Sequence, residues 1–274
     1  MRKKKRIITP IYPYNPLEDS GDVMPAPAPA PIKKAMPRWI VVSAGLATVC
    51  TVVFLVLVWQ AAHTWQVARV EYDALRELAA YITATHPAPP ASPVPHVSAF
   101  DRMMMDINPH FIGWIRIEGT RIDYPVVRAQ NNEQYLSLTF QGQHNEHGAI
   151  FMDYRNVGDF VPHIIIYGHN TRYGNMFSDL HLFLDADFLA RYSFITLLVN
   201  DRVVVFDIFS ARRTDVHDPA FFLDFSEAGA FDGFLYRIGA PADAAQIVTL
   251  STCVSGRNPN ERVIVQGVLK GASS

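Results

Sequence analysis

The longest apolar run in the chain lies near its N-terminal end and contains no charged residue. It covers residues 39–60 and reads WIVVSAGLATVCTVVFLVLVWQ. A bilayer core needs roughly 20 apolar residues in a helix, whereas a cleaved signal peptide has an apolar core of only about 7–15 residues. Trp39 and Trp59 bracket the run, as is common at membrane interfaces. The pattern therefore predicts one transmembrane helix over 39–60 rather than a buried core helix.

The region after this run changes from uniformly apolar to mixed. Apolar residues recur there at steps of three and four with charges between them, which predicts an amphipathic helix: Val67, Val70, Leu75, Leu78 and Ile82. The proline-rich stretch HPAPPASPVPH (86–96) then excludes regular structure. We expect residues 61–97 to form an amphipathic helix and a stalk, and the folded domain, 98–274, to begin near Ser98.

From Asn108 the pattern consists of short strand-like runs, and the first two suggest a hairpin. The runs are GWIRI (113–117), RIDYPVV (121–127), GAIFMD (148–153), HIIIYG (163–168), FITLLVN (194–200), RVVVFDIFS (202–210), QIVTLST (246–252) and RVIVQGVL (262–269). Two helical candidates lie between them, at about 176–191 and 226–238. Many short strands with few helices predict a mostly β fold, either a closed barrel or a sandwich.

The distribution of charged residues indicates how the chain is oriented in the membrane. The 274-residue chain suits one domain with appendages, and its net charge of −2 does not point to nucleic acid. Basic residues concentrate before the apolar run: Arg2, Lys3, Lys4, Lys5, Arg6, Lys33, Lys34 and Arg38. Such a tail could be a nucleic-acid arm, but the positive-inside rule explains it beside a membrane span. We expect residues 1–38 to be a disordered, proline-rich cytoplasmic tail, the C-terminal domain to be extracellular, and nucleic acid not to be a partner.

The two cysteines cannot meet in a disulfide if this topology is correct. Cys50 lies in the apolar run and Cys253 in the outer domain. A single thiol in an exported domain is either a reactive group or a small buried hydrophobe. Cys253 ends one strand-like run and Arg262 begins the next, with turn-forming residues between them. Antiparallel pairing would place them side by side, and a guanidinium favours the thiolate; the alternative is a plain strand end with a solvated arginine.

A cysteine nucleophile needs a proton partner, which is usually histidine. His169 also follows a strand-like run, at an end where catalytic groups tend to lie. The other histidines weighed against it are expected to be solvated surface residues: His144, His147, His163, His181 and His217. His144 and His147 could suggest a metal site, but no further ligand stands at suitable spacing, so no metal is expected.

These segments together resemble one family. TLSTC (249–253) with an arginine opening the last strand looks like the sortase active-site signature. YGHN (167–170) followed by MF (176–177) resembles the histidine segment of class B sortases, and so do the early segments of the domain: NPHFIGWIRIEGTRIDYPVV (108–127), NNEQYL (131–136) and GAIFMDYRN (148–156). The resemblance covers residues 100–270 and implies a sortase-type closed barrel of about eight strands. It also implies an N-terminal helix and a helical insertion, at 226–238, before the last two strands.

The resemblance implies a role for particular residues. Cys253 would be the nucleophile, His169 the general acid and base, and Arg262 the transition-state stabiliser. Four further residues would bind substrate: Asn132, Leu136 and Ser251 along the groove, and Phe221 in the loop that walls it. The class often has an acidic residue after the cysteine, where this chain has Val254, so no substrate contact is assigned there.

The reaction implied is transpeptidation without a cofactor. Exported proteins with a C-terminal sorting signal, of the Asn-Pro-x-Thr-x kind, would form a thioacyl-enzyme. An amine would then resolve it, either from a lipid-linked peptidoglycan precursor or from a pilin lysine. Sequence alone leaves three alternatives open: a pilus-polymerising enzyme, a cysteine hydrolase that uses water as acceptor, and a non-catalytic membrane-tethered binding domain.

Overall fold

The computed structural model describes residues 38–85, 98–158, 161–171, 174–200, 202–254 and 258–270. The chain divides into an N-terminal unit that ends at Val53 and a second unit that begins at Phe54. The expected cytoplasmic tail before Arg38 and the proline-rich stalk lie outside the described residues. Helix α1, Arg38–Thr85, is continuous, and its stretch from Val42 to Tyr81 is long and apolar enough to cross a membrane.

Within the second unit, the later turns of α1 pack on the folded domain. The buried apolar positions are Ala68, Tyr72, Leu75 and Ala79, a stripe at steps of four, three and four. Leu75 belongs to the predicted amphipathic pattern, and Leu78 packs against the same core, whereas Val67 and Val70 are exposed. The pattern of large aliphatic residues therefore identified only part of the buried face, because alanines and a tyrosine supply the rest.

A short helix, α2 (Ala99–Ile107), opens the domain where its start was expected; the residue pattern had not singled it out, but the family resemblance implied an N-terminal helix. Ser98 caps it, because the Ser98 hydroxyl oxygen accepts a hydrogen bond from the Asp101 N–H. Phe100 and Met104 are buried on the face toward the domain. Phe100, Met104 and Ile107 recur at steps of four and three, so the segment carries a helical pattern as well as the capping serine.

Eight strands close into a barrel, as the family resemblance implied. They are β1 (Phe111–Arg116), β2 (Asp123–Val127), β3 (Ile150–Met152), β4 (His163–Tyr167), β5 (Phe194–Val199), β6 (Arg202–Asp215), β7 (Ala244–Cys253) and β8 (Glu261–Lys270). Their order around the barrel is β1-β2-β3-β4-β7-β8-β6-β5, with β5 pairing back to β1. The β2–β3 and β4–β7 pairs are parallel and the others are antiparallel.

The two helical candidates have different outcomes. Residues 176–191 do not form one helix, because a 3₁₀ helix, Ser178–Leu184, ends at Asp185 and a separate helix, α3 (Ala186–Arg191), begins there. Asp185 caps α3 by accepting a hydrogen bond from the Phe188 N–H, which favours the break. The second candidate is confirmed as α4, Ala230–Ile238, which lies between β6 and β7.

The barrel aligns the strands that carry the candidate chemistry. In the β4–β7 ladder Tyr167 pairs with Ser251, so the residues that follow β4 lie beside the end of β7. In the β7–β8 ladder Cys253 pairs with Arg262. Three segments that are distant in sequence therefore meet at one end of the sheet.

Candidate active site

A cavity of about 200 Å³ opens where β4 and β7 end and β8 begins. Six of the seven predicted site residues line it: Cys253, His169, Arg262, Asn132, Leu136 and Ser251. Phe151, Tyr167, Gly168 and Thr252 complete the lining. The structure thus brings together the three predicted catalytic groups, while their catalytic roles remain a prediction.

Cys253 and Arg262 are directly opposite each other in the β7–β8 ladder. Paired residues of neighbouring strands project on the same side of a sheet, which explains why both reach the cavity. Cys253 is exposed. Arg262 Nη1 donates to the carbonyl oxygens of Pro259, at 2.7 Å, and of Glu261, at 2.9 Å. Both bonds use Nη1, and an arginine has five N–H donors in total, so Arg262 can bind a substrate oxygen as well.

The backbone holds the imidazole in one orientation. His169 Nε2 lies 2.8 Å from the carbonyl oxygen of Leu136. A carbonyl oxygen can only accept, so Nε2 carries the proton and Nδ1 is the basic nitrogen of the neutral ring. The His169 carbonyl oxygen accepts from the Phe177 N–H, and Gly168 donates to the Ser251 carbonyl oxygen. The histidine is therefore fixed by main-chain contacts on both sides.

A glycine makes room for this contact. Gly148 has φ +59°, and a methyl group placed on it would come within 2.4 Å of the Tyr135 carbonyl oxygen, 3.0 Å of the Leu136 carbonyl oxygen and 3.1 Å of His169 Cδ2. The Gly148 carbonyl oxygen accepts a 2.9 Å bond from the buried Tyr72 hydroxyl of α1. A chain of contacts thus runs from α1 through Gly148 to the imidazole.

Two residues that line the cavity carry buried hydroxyl groups. Ser251 Oγ and Thr252 Oγ1 have no hydrogen-bond partner among the described residues, and each residue is about 2 % exposed. The two residues are neighbours on β7, so their side chains project to opposite faces of the sheet, and Ser251 shares the face of Cys253. Sequence reasoning named Ser251 and missed Thr252, although Thr252 directly precedes the cysteine in the same motif.

Phe221 does not line the cavity. It lies in the 3₁₀ turn Pro219–Phe221, which follows β6. Asp218 begins this turn and accepts two bonds from Arg212, at 2.6 and 2.8 Å. Although burial opposes ionisation, the hydrogen bonds from Arg212 and Thr214 lower the pKa of Asp218 to about 2. These hydrogen bonds stabilise the turn. That Phe221 helps to form a wall of the substrate groove stays a prediction.

Two histidines expected at the surface are buried. His147 is 3 % exposed, and burial lowers its pKa. His163 is fully buried, with Nδ1 2.8 Å from the Phe222 carbonyl oxygen and Nε2 2.8 Å from Thr249 Oγ1. Burial lowers the pKa of His163 to about 4. Within the described parts of the chain, no three histidine, cysteine or acidic residues are grouped so as to hold a metal ion.

Comparisons with known proteins agree with this geometry. The family model described as the sortase domain matches residues 115–270. Sortase B of Listeria monocytogenes is 32% identical over 182 residues, which cover 61% of this chain and 73% of that protein. Sortase B of Staphylococcus aureus is 27% identical over 240 residues, covering 84% and 96%. The solved Staphylococcus aureus sortase B–substrate complex superposes with a TM-score of 0.65, at 26% identity, over 75% of this chain and 97% of that one.

Proposed function

The chain belongs to the sortase family of cysteine transpeptidases, in its class B branch, and on that premise we propose that it is a membrane-anchored enzyme that joins exported proteins to an amine acceptor. Its substrates would carry a C-terminal sorting signal of the Asn-Pro-x-Thr-x kind. The acceptor would be an amine of a lipid-linked peptidoglycan precursor, so that the product is attached to the cell wall.

One observation carries the proposal. Cys253, His169 and Arg262 come from three separate strands or strand ends, yet all three line one cavity. Thiol, imidazole and guanidinium are the groups that acyl transfer through a thioester needs: a nucleophile, a proton carrier and a stabiliser of the oxyanion. A binding domain without catalysis has no need for this combination.

The geometry supports a definite sequence of proton transfers. Nδ1 of His169 accepts the thiol proton of Cys253, and the thiolate attacks the scissile carbonyl carbon. The resulting oxyanion is stabilised by Arg262. The imidazolium then gives its Nδ1 proton to the leaving amine, the C–N bond breaks and the thioacyl-enzyme remains. An incoming amine loses a proton to Nδ1, attacks the thioester and releases the Cys253 thiolate, which recovers the proton.

The apolar run supports the membrane part of the proposal. We place residues 1–38 in the cytoplasm, 39–60 in the bilayer, 61–97 as helix and stalk, and the catalytic domain, 98–274, outside the cell. Confining the enzyme, its exported substrate and a lipid-linked acceptor to one surface raises their effective concentrations.

The proposal is tested with the full-length protein in detergent micelles, a peptide containing Asn-Pro-Gln-Thr-Asn, and triglycine as amine. We expect mass spectrometry to detect a thioacyl adduct on Cys253 and a peptide–triglycine product. Cys253→Ala should form neither. A hydrolase would give the free acid in the same amount with and without triglycine, and that outcome would refute amine transfer.

A further inference from the structure

A buried carboxylate lies directly behind the wall of the cavity. Asp153 follows β3, and its side chain is fully buried. It accepts bonds from the main chain and side chain of Arg155, at 3.0, 2.9 and 2.9 Å. It also accepts from Asn132 Nδ2 at 3.0 Å and from the Tyr167 hydroxyl at 3.1 Å. The last two donors belong to side chains that line the cavity.

This carboxylate is ionised and can therefore only accept. An isolated buried charge is unfavourable, and the forked, two-bond pairing with Arg155 compensates it. Burial alone would raise the pKa of Asp153, but the hydrogen bonds from Arg155 and Asn132 lower it below the usual value. At neutral pH, both oxygens of Asp153 are filled by donors from its neighbours.

Because the Asp153 carboxylate can only accept, the orientation of each group that donates to it is determined. The Tyr167 hydroxyl must point its proton at Asp153, which leaves the oxygen lone pairs for the cavity. The Asn132 amide must turn its NH₂ toward Asp153, and its oxygen accepts a 3.0 Å bond from the Tyr154 N–H. A flip of this amide would bring two acceptors together at Asp153 and two donors together at Tyr154. The amide orientation of Asn132 is therefore fixed on both sides.

We propose that Asp153 is a positioning residue for the substrate groove, which fixes the Asn132 amide so that its second N–H and second oxygen lone pair meet the backbone of an extended peptide. An extended peptide presents N–H and C=O groups to its binding surface, and one correctly oriented amide pairs with both. The inference rests on the proposed transpeptidase function and names a specificity-determining contact of that same site.

Asp153→Asn in the full-length protein tests the role of the carboxylate. The new side chain replaces one acceptor with an NH₂ donor, so Asn132 and Tyr167 lose their fixed directions. With the Asn-Pro-Gln-Thr-Asn peptide and triglycine, we expect KM to rise between about three- and tenfold, the usual worth of one hydrogen bond. We expect kcat to change less than twofold. Iodoacetamide makes no groove contacts, so the rate at which it alkylates Cys253 should be the same in Asp153→Asn as in wild type at each pH from 6 to 9.

Asp179→Asn is the matched control. Asp179 is also buried and accepts from the main chain and guanidinium of one arginine, Arg121, but Arg121, unlike Asn132 and Tyr167, does not line the cavity. It should lower the thermal midpoint to a similar extent while leaving KM within twofold of wild type. An equal rise in KM in Asp179→Asn, or a slower alkylation of Cys253 in Asp153→Asn, would reduce Asp153 to a structural residue and overturn the proposal.

A second pair of variants covers the case in which Asp153→Asn does not fold. Asn132→Asp would set a second carboxylate against Asp153, whereas Asn132→Ala only removes the contact. We expect the KM of Asn132→Asp to exceed that of Asn132→Ala; a wild-type KM in Asn132→Asp would contradict the inference. Wild-type protein in the same assay distinguishes failure of the proposed function from failure of the positioning role. If wild type transfers no peptide, the proposed function is refuted. If wild type and Asp153→Asn transfer the peptide equally well, only the positioning role is refuted.

Discussion

The carbonyl oxygen of Leu136 lies 2.8 Å from Nε2 of His169 and determines which ring nitrogen is basic. In many catalytic dyads a carboxylate orients the imidazole, and it also stabilises the imidazolium by its charge. Here a neutral main-chain oxygen orients the ring. Nδ1 is consequently the basic nitrogen of the neutral ring, and the proposed proton transfer by His169 would depend on the position of Leu136.

Gly148→Ala should lower both the stability and the proposed activity, because its methyl group would come within 2.4 Å of the Tyr135 carbonyl oxygen. Its methyl group would press on the Leu136 carbonyl oxygen and on His169 Cδ2. We expect kcat/KM for peptide transfer to fall at least tenfold, because a displacement of about 1 Å at a catalytic group can cost two orders of magnitude. Steady-state kinetics with the quenched Asn-Pro-Gln-Thr-Asn peptide measure the effect.

Gly142→Ala is the control for Gly148→Ala. Gly142 has φ +80°, so an alanine there suffers comparable backbone strain, but no atom lies within 4 Å of the added methyl group. It should lose about 1–3 kcal/mol of stability and keep its activity within twofold. Equal losses of activity in the two variants would show that backbone strain, and not the histidine contact, is responsible.

Arg262→Lys should be a poor enzyme although it keeps the charge. Lysine lacks the planar fork, so it cannot hold the Pro259 carbonyl oxygen and a developing oxyanion together. We expect kcat to fall by roughly 10²-fold or more, the typical cost of one lost oxyanion donor. Arg213→Lys on the neighbouring strand β6, where Arg213 pairs with Glu261 and does not line the cavity, should remain within twofold of wild type. Near-full transfer by Arg262→Lys would contradict its assigned role.

Tyr72→Phe tests the contact between α1 and Gly148, the glycine beside His169. The Tyr72 hydroxyl donates to the Gly148 carbonyl oxygen and accepts from the Phe140 N–H at 3.3 Å. Removing it leaves two buried main-chain groups unpaired, at a cost of about 1–3 kcal/mol each in the free energy of unfolding. We expect a lower thermal midpoint together with reduced kcat. Tyr236→Phe, whose ring is 89 % exposed, should change neither quantity, and a silent Tyr72→Phe would remove α1 from the account of His169.

His163 should make the domain less stable in mild acid. Burial lowers the pKa of His163 to about 4, whereas an unfolded histidine titrates near pH 6.5. Between these values the unfolded chain binds a proton that the folded chain does not bind. Stability from this group is thus complete above about pH 6.5 and falls as the pH drops toward 4, by a total on the order of 3 kcal/mol.

His163→Asn removes this titration while keeping a donor for the Phe222 carbonyl oxygen. We expect its thermal midpoint to change less than that of wild type between pH 6.5 and 4, in matched detergent buffers. Parallel curves for the two proteins would show that another group governs the acid sensitivity.

The sequence predicted that Cys253 and Arg262 meet at one end of the sheet, and the reason is local; their catalytic roles stay a prediction. Cys253 and Arg262 stand at the two ends of a turn between apolar strand-like runs, so antiparallel pairing alone made them neighbours. His169 also stood at a strand end. Its nearness to Cys253 depends on the parallel β4–β7 pairing, which local pattern does not reveal and which the family resemblance supplied.

Features that depend on tertiary packing were missed or misjudged. His147 lies in a polar loop, whereas His163 directly precedes a run of isoleucines, and the folded chain buries both. The buried face of α1 includes Leu75, which the apolar pattern contained, but also alanines and a tyrosine, which a search for large aliphatic residues passes over. Asp153 looked like an ordinary residue after a strand, because its two cavity-lining partners are 21 and 14 positions away.

The pairing of β7 with β8 tolerates changes in the loop between the strands but not insertions within either strand. Pairing of Cys253 with Arg262 is set by strand register, so the loop that joins the strands can lengthen or shorten without changing which residues pair. A single residue inserted within β7 or β8 would instead turn one of the two toward the opposite face of the sheet. Natural variation among related chains should therefore accumulate between residues 254 and 260, while the lengths of the two strands stay constant.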